Sequence, residues 1–223
     1  MPSPKTKVTQ ISKQALQRLP YYLRYLYSLR DSGTKNVSAP TIAAALRLHE
    51  VQVRKDLELV STTGGKPRTG FTVDELIIDI ERFLGYDNAD QAVLAGAGKL
   101  GRALVAYRGF DDYGLQIIAA FDNDETIVGR DIGETPVFPI SKMADLCPRL
   151  GIRIGILTVP ASHAQQVCDE MIAAGILAVW NFTPAHLHVP ENVLVQNENM
   201  AASLALLRKH LNQKIAGGEE ASE

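Results

Sequence analysis

Leu16, Leu19, Leu23, Leu26 and Leu29 recur at spacings of three and four residues, one apolar stripe of an amphipathic helix over residues 12–32. Ser12 can cap its start and Gly33 its end, while Pro20 lies inside the pattern and should kink or split it. Ser38 and Pro40 open a short helix over 39–46. Arg47, Leu48 and His49 form a tight connection to a third helix, from about Glu50 to Val60. The stretch 61–70 that follows is turn-rich and basic. Three helices and a basic loop before Phe71 predict a winged helix-turn-helix. Thr72 and Glu75 have the spacing of a capping box and start a helix to Leu84.

Residues 85–90 read as a linker, and from residue 91 the pattern changes. Apolar runs at 92–95, 115–121, 152–159 and 176–182 alternate with helical patterns at 99–108, 141–150 and 163–174. Such alternation predicts a parallel sheet with helices on both faces. In a last helix, 198–214, Met200, Leu204, Leu207 and Leu211 form a second stripe, and the acidic tail 217–223 is expected to be disordered. The fold class is therefore an α/β Rossmann-like parallel-sheet domain preceded by a winged helix-turn-helix domain of helices and a β-wing. The expected divisions are 1–85, 86–197 and 198–223.

The 223-residue chain is 46% hydrophobic and 22% charged, enough to bury real cores. No apolar run reaches the length of a membrane span. The first ten residues are polar, without the apolar core of a signal peptide, which points to the cytoplasm. Two cysteines, Cys147 and Cys168, make neither a disulfide scaffold nor a structural zinc site. The net charge of −2 hides a division: residues 1–70 carry 12 Lys and Arg against 4 Asp and Glu, and the remainder carries 11 against 21. A basic half of this kind is a nucleic-acid or membrane signal.

The sharpest motif is Gly96-Ala97-Gly98-Lys99-Leu100-Gly101. It follows an apolar run, opens a helix, and precedes a second run that ends in Asp122. The first glycine permits a tight turn, the second lets a pyrophosphate approach the backbone, and the third lets helix and strand pack closely. The helix N-terminus offers N–H groups to the phosphates, and Asp122 suits the ribose hydroxyls of NAD while repelling the extra phosphate of NADP. Thr158-Val159-Pro160 and Asn181-Phe182 end later runs and could line the nicotinamide pocket. An enzyme would add an acid, base or nucleophile there. His163 is the candidate by position, but a histidine so placed is more often a helix N-terminal residue with no catalytic duty. Cys168 reads as packing, Asp111 and Asp112 as a solvated pair, and His186 and His188 lack a third metal ligand. No catalytic constellation emerges. The chain is expected not to be an enzyme and to bind no metal, and the alternative is an NAD-dependent dehydrogenase with an appended basic domain.

In a helix-turn-helix the N-terminal part of the second helix reaches base edges. That stretch carries Glu50, Gln52, Arg54 and Lys55. Gln52 can pair with adenine, and Arg54 or Lys55 with guanine or phosphate, while Glu50 can accept from cytosine or cap the helix. Lys66 and Arg68 on the wing suit phosphates or a minor groove, and Arg18 and Arg24 could touch the DNA backbone.

The run Ile11-Ser12-Lys13-Gln14-Ala15-Leu16-Gln17-Arg18-Leu19-Pro20-Tyr21-Tyr22-Leu23-Arg24-Tyr25-Leu26 and the helix segment Val53-Arg54-Lys55-Asp56-Leu57 resemble the opening and recognition helices of the Rex family. These are bacterial repressors that sense the NADH/NAD balance. The glycine motif with Arg102-Ala103-Leu104, then Ala120-Phe121-Asp122-Asn123-Asp124, Thr158-Val159-Pro160-Ala161 and Asn181-Phe182-Thr183-Pro184 follow in that family's order. The resemblance implies NADH and NAD as cofactors and a homodimer that exchanges the last helix. It also implies closure on NADH that releases an inverted-repeat operator in double-stranded DNA. It places Tyr107 near the nicotinamide and Phe182 near the partner's cofactor. The wing departs from the family pattern: 58–71 is one residue longer than a stretch that usually ends Gly-Lys-Arg-Gly. A paralogue with a changed target or a weakened NADH response is therefore a further alternative.

Overall fold

The computed structural model describes residues 11–86 and 90–219. The N-terminal ten residues, positions 87–89 of the expected linker and 220–223 of the expected tail lie outside the described residues. The chain divides into two compact units, Met1–Asn88 and Ala89–Glu223.

The first unit contains α1 (Lys13–Asp31), β1 (Asn36–Val37), α2 (Ala39–Leu46), α3 (Glu50–Val60), β2 (Phe71–Thr72) and α4 (Val73–Leu84). Ser12 Oγ accepts from the Ala15 N–H at 3.1 Å and Ser38 Oγ from Thr41 at 3.2 Å, so both helices start where their caps lie. Pro20 does not split α1. Leu19, Tyr22, Leu23 and Leu26, on either side of it, are all buried against Ile42, Val53, Leu57, Leu76 and Ile80, and that burial outweighs one lost backbone hydrogen bond. Leu16 belongs to the sequence stripe but stays 41% exposed near the helix start. The helix-turn-helix connection is made by Arg47 in a left-handed conformation, with Leu48 N–H donating to Ala43 O at 2.9 Å. Helix α4 begins at the expected place without its capping box. The Val73 N–H donates to Lys35 O because β2 pairs antiparallel with β1, and Glu75 accepts from Thr63 Oγ1 instead.

The second unit contains β3 (Asp90–Ala95), α5 (Lys99–Val105), β4 (Leu115–Asp122), β5 (Asp131–Ile132), β6 (Thr135–Pro139), α6 (Met143–Leu150), β7 (Ile154–Leu157), α7 (Ala161–Ala173), β8 (Ala178–Asn181), β9 (Leu194–Asn197) and α8 (Met200–Glu219). The sheet order is β5-β6-β4-β3-β7-β8-β9, parallel except for the β5–β6 hairpin. Without β5 this is the doubly wound order that reverses between the first strand and its neighbours. Strand alternation supplies two cores. Val93, Ala95, Ala119 and Phe121 pack with Met143, Cys147, Val167, Cys168 and Met171 of α6 and α7. Ala92, Leu94, Ala120 and Ile156 face the other way, toward Leu104 and Val105 of α5.

Strands β5, β6 and β9 are additions to the sequence reading. Pro136 and Pro139 interrupt the apolar pattern of β6, and Pro136 is tolerated because it pairs with the short edge strand β5. Helix α5 is shorter than the expected 99–108 because a 3₁₀ turn, Arg108–Tyr113, follows. Helix α8 runs on to Glu219, into the stretch expected to be disordered. Its Met200, Leu204, Leu207, Leu211 and Ile215 are 49–67% exposed.

Candidate cofactor loop and nucleic-acid surface

The glycine loop leaves the carboxyl end of β3, between β4 and β7, at the point where the strand order reverses. Gly96 has φ +103°, and a Cβ there would sit 2.8 Å from the Thr158 carbonyl carbon. A Cβ on Gly101 would sit 2.1 Å from Gly96 O, so only glycine lets α5 pack this closely. Around Gly98 a Cβ would meet nothing within 4 Å. That space is open to a ligand, and Lys99 and Leu100 beside it are exposed. The first bond inside α5 runs from Arg102 N–H to Gly98 O at 2.9 Å, which leaves the earlier N–H groups at the mouth of the helix.

Neighbouring side chains hold this loop. Asp122 Oδ2 accepts from Ala97 N–H at 2.7 Å, while Oδ1 accepts from Asn123 and Asp124 N–H. Thr158 Oγ1 donates to Gly96 O at 2.7 Å and lies 3.1 Å from Ala95 O. The sequence offered Thr158 as a pocket wall, and the fold makes it the lock on the glycine turn. Val159 backs onto the α7 side of the core and Pro160 precedes the first turn of α7.

Two expected cofactor residues fall elsewhere. Asn181 is fully buried. Its Nδ2 donates to Ala185 O and Asn197 Oδ1, and its Oδ1 accepts from Thr183 N–H and Oγ1. With its polar atoms satisfied internally it shapes the 182–185 turn rather than presenting itself to a ligand. Tyr107 lies past the C-terminus of α5. It lines a 680 Å³ cavity with Arg108, Phe110, Glu134 and the amino half of β4, at the opposite end of the sheet from the glycine loop. A row of rings joins the two ends. Tyr107 meets Phe110 at 5.0 Å between centroids, Phe110 meets Trp180 at 5.6 Å, and Trp180 meets Phe182 at 4.9 Å. Trp180 Nε1 donates to Glu198 Oε1 at 2.8 Å, a tie next to α8 that no local sequence signal announces.

Among the described residues no group of three or more His, Cys, Asp or Glu could hold a metal. His163 shares a 3.0 Å hydrogen bond with Ser162, its chain neighbour. Burial raises the Cys147 and Cys168 thiols above their ordinary range, the reverse of an activated nucleophile.

On the first unit, α3 buries Val53, Asp56, Leu57 and Val60 and exposes Glu50, Val51, Arg54, Lys55 and Glu58, with Gln52 half-buried. The wing folds back through paired bonds between Lys66 and Gly70, each 2.8 Å. A 410 Å³ cleft between α3, the start of α2 and this wing brings Arg54, Lys66 and Arg68 together. Arg18, expected at the DNA backbone, is committed inward instead: its Nε and Nη2 donate to the two Asp56 oxygens at 2.8 and 2.9 Å.

Known proteins share both units. A family model described as a putative DNA-binding protein N-terminus matches residues 10–58, and one described as a CoA binding domain matches 87–185. A redox-sensing transcriptional repressor Rex from Porphyromonas gingivalis is 44% identical over 199 residues, covering 89% of this chain and 91% of the relative. The protein of that name from Bacteroides fragilis is 40% identical over 204 residues, 92% of each chain. The chain belongs to the Rex family. The dehydrogenase alternative gives way, since these Rex relatives are transcriptional repressors. Among solved structures, the Rex-family repressor RSP in complex with β-NAD+ and operator DNA superposes with a TM-score of 0.86 at 31% identity, covering 96% of this chain and 99% of that one. RSP in complex with β-NADH gives 0.83 at 31% identity, covering 95% and 99%.

Proposed function

We propose that this Rex-family chain is a DNA-binding transcriptional repressor that reads the NADH/NAD balance, with NADH binding releasing an inverted-repeat operator. The observation that carries the reading is one chain holding both an open glycine loop at a sheet switch point and a basic helix–wing cleft. The open space over Gly98 and the N–H groups at the mouth of α5 fit a pyrophosphate. Asp122, at the end of β4, fits ribose hydroxyls and favours NAD(H) over NADP(H). The dinucleotide supplies the redox signal, and the protein's part is to bind its two forms unequally. Arg54, Lys55 and Gln52 face base edges, and Lys66 and Arg68 face phosphates.

The exposed stripe of α8 supports a homodimer in which the helix is exchanged, because an isolated helix needs an apolar partner. Two recognition helices must then reach half-sites about one DNA turn, ~34 Å, apart. If NADH favours a dimer spacing that DNA does not, each ligand weakens the other by the same factor. No described helix is long and apolar enough to cross a membrane.

The test is fluorescence anisotropy of a labelled duplex from the gene's own promoter. NADH should release the bound protein and NAD should compete with NADH weakly. DNA affinity indifferent to NADH would leave a paralogous repressor without redox response.

A further inference from the structure

The outer face of α3 carries two carboxylates, Glu50 and Glu58, beside two cations, Arg54 and Lys55. The recognition helix therefore brings no net charge on this face to a duplex bearing one negative charge per roughly 1.7 Å. Attraction to DNA is left to the rest of the basic unit, and carboxylates on this face oppose it. The place of Glu50 is not explained by capping. The N-cap of α3 is His49, without a side-chain cap bond, and the Glu50 carboxylate reaches forward to the Arg54 guanidinium. Both side chains are about half exposed, 46% and 55%, and an exposed pair one helical turn apart contributes little to folding.

A carboxylate only accepts hydrogen bonds. Phosphates repel it, and the donors that the major groove offers are the amino groups of cytosine N4 and adenine N6. Glu50 stands in the first turn of α3, the end of a recognition helix that meets base edges.

We propose that Glu50 is a specificity-determining residue for the operator, accepting from a cytosine amino group while Arg54, one turn further on, donates to a nearby guanine. The inference rests on the operator-binding reading above. In the free protein Glu50 and Arg54 are paired with each other, and the carboxylate beside the guanidinium repels phosphates approaching it. On the right sequence both groups change partners together. On a wrong one the carboxylate faces other acceptors, a penalty that rejects the site rather than a mere missing contact.

The experiment is enrichment of bound duplexes from a randomised pool by the full-length chain, as wild type, Glu50→Ala and Glu50→Gln. Wild type should enrich cytosine at one position of each half-site. Glu50→Ala should lose that preference by about 5- to 150-fold, the range for one good base contact, and should bind unselected DNA more tightly. Glu50→Gln should move the preference at the same position toward adenine, the base that glutamine pairs with through two bonds. Unchanged preferences in both variants would overturn the proposal. A wild-type chain that enriches no sequence would overturn the operator-binding reading and the proposal with it.

Discussion

Arg18 and Asp56, 38 positions apart, form a two-pronged ion pair that fastens α1 to the buried side of α3. Tyr22 Oη donates to the same carboxylate at 2.7 Å, and burial with that carboxylate raises the Tyr22 phenol above its ordinary value. Asp56 is only 4% exposed, so removing its partner strands a charge in the core. Arg18→Ala should destabilise the protein by about 3–5 kcal/mol, read as a lower urea midpoint. An unchanged midpoint would show that water can replace the guanidinium.

The glycine loop separates packing from binding. Gly101→Ala should lower the melting temperature, since its Cβ would lie 2.1 Å from a backbone oxygen. Gly98→Val should leave the melting temperature near wild type, because a Cβ there has nothing within 4 Å, and should abolish NADH binding by occupying the pyrophosphate's space. Fluorescence titration and calorimetry on both variants decide it. Wild-type NADH affinity in Gly98→Val would remove the loop from the site.

Helix α8 exposes Leu204, Leu207, Leu211 and Ile215 along one stripe. Deleting residues 198–223 should therefore give monomers or aggregates and abolish operator binding. Sedimentation checks the first outcome and anisotropy the second. A truncated chain that remains a dimer and still releases DNA on NADH would show that the exchanged helix is required for neither.

The two thiols should be silent at neutral pH. Burial pushes Cys147 from 9.0 up to about 11, and Cys168 moves in the same direction. A raised acid pKa means that the neutral form is favoured by folding. Its contribution is complete below about pH 9 and is lost as pH climbs toward about 11. Thermal stability should fall across that window, less so in Cys147→Ser measured against its own neutral-pH value. Maleimide labelling of the native protein at pH 7 should require denaturant.

The candidate site was legible only in part. The glycine spacing identifies a loop whose turn is local, so Gly96, Gly98 and Gly101 shape it as read, while Asp122, 25 positions from Ala97, reaches the loop only because β3 and β4 pair. Asn181, Tyr107 and Arg18 did not follow their sequence reading. An asparagine closing a turn looks the same in one dimension as an asparagine lining a pocket, and a basic residue on a helix looks the same whether it faces solvent or a buried aspartate.

What the sequence by itself determined is most of what depends on residues within about four positions of one another, although the Thr72–Glu75 capping box, three positions apart, yielded to tertiary partners. The caps at Ser12 and Ser38, the tight connection at Arg47-Leu48-His49 and the alternation of apolar runs and helices from residue 91 all belong here. Backbone hydrogen bonds and side-chain periodicity act over that range. Only the tertiary structure decided which strands became neighbours, and so that Thr158, 62 residues beyond Gly96, locks the glycine turn. It likewise decided that Arg18 meets Asp56 and that Trp180 meets Glu198. Those pairings follow from the simultaneous burial of whole apolar faces, which sets the order of the sheet and the docking of the helices. No single stretch of chain carries that information.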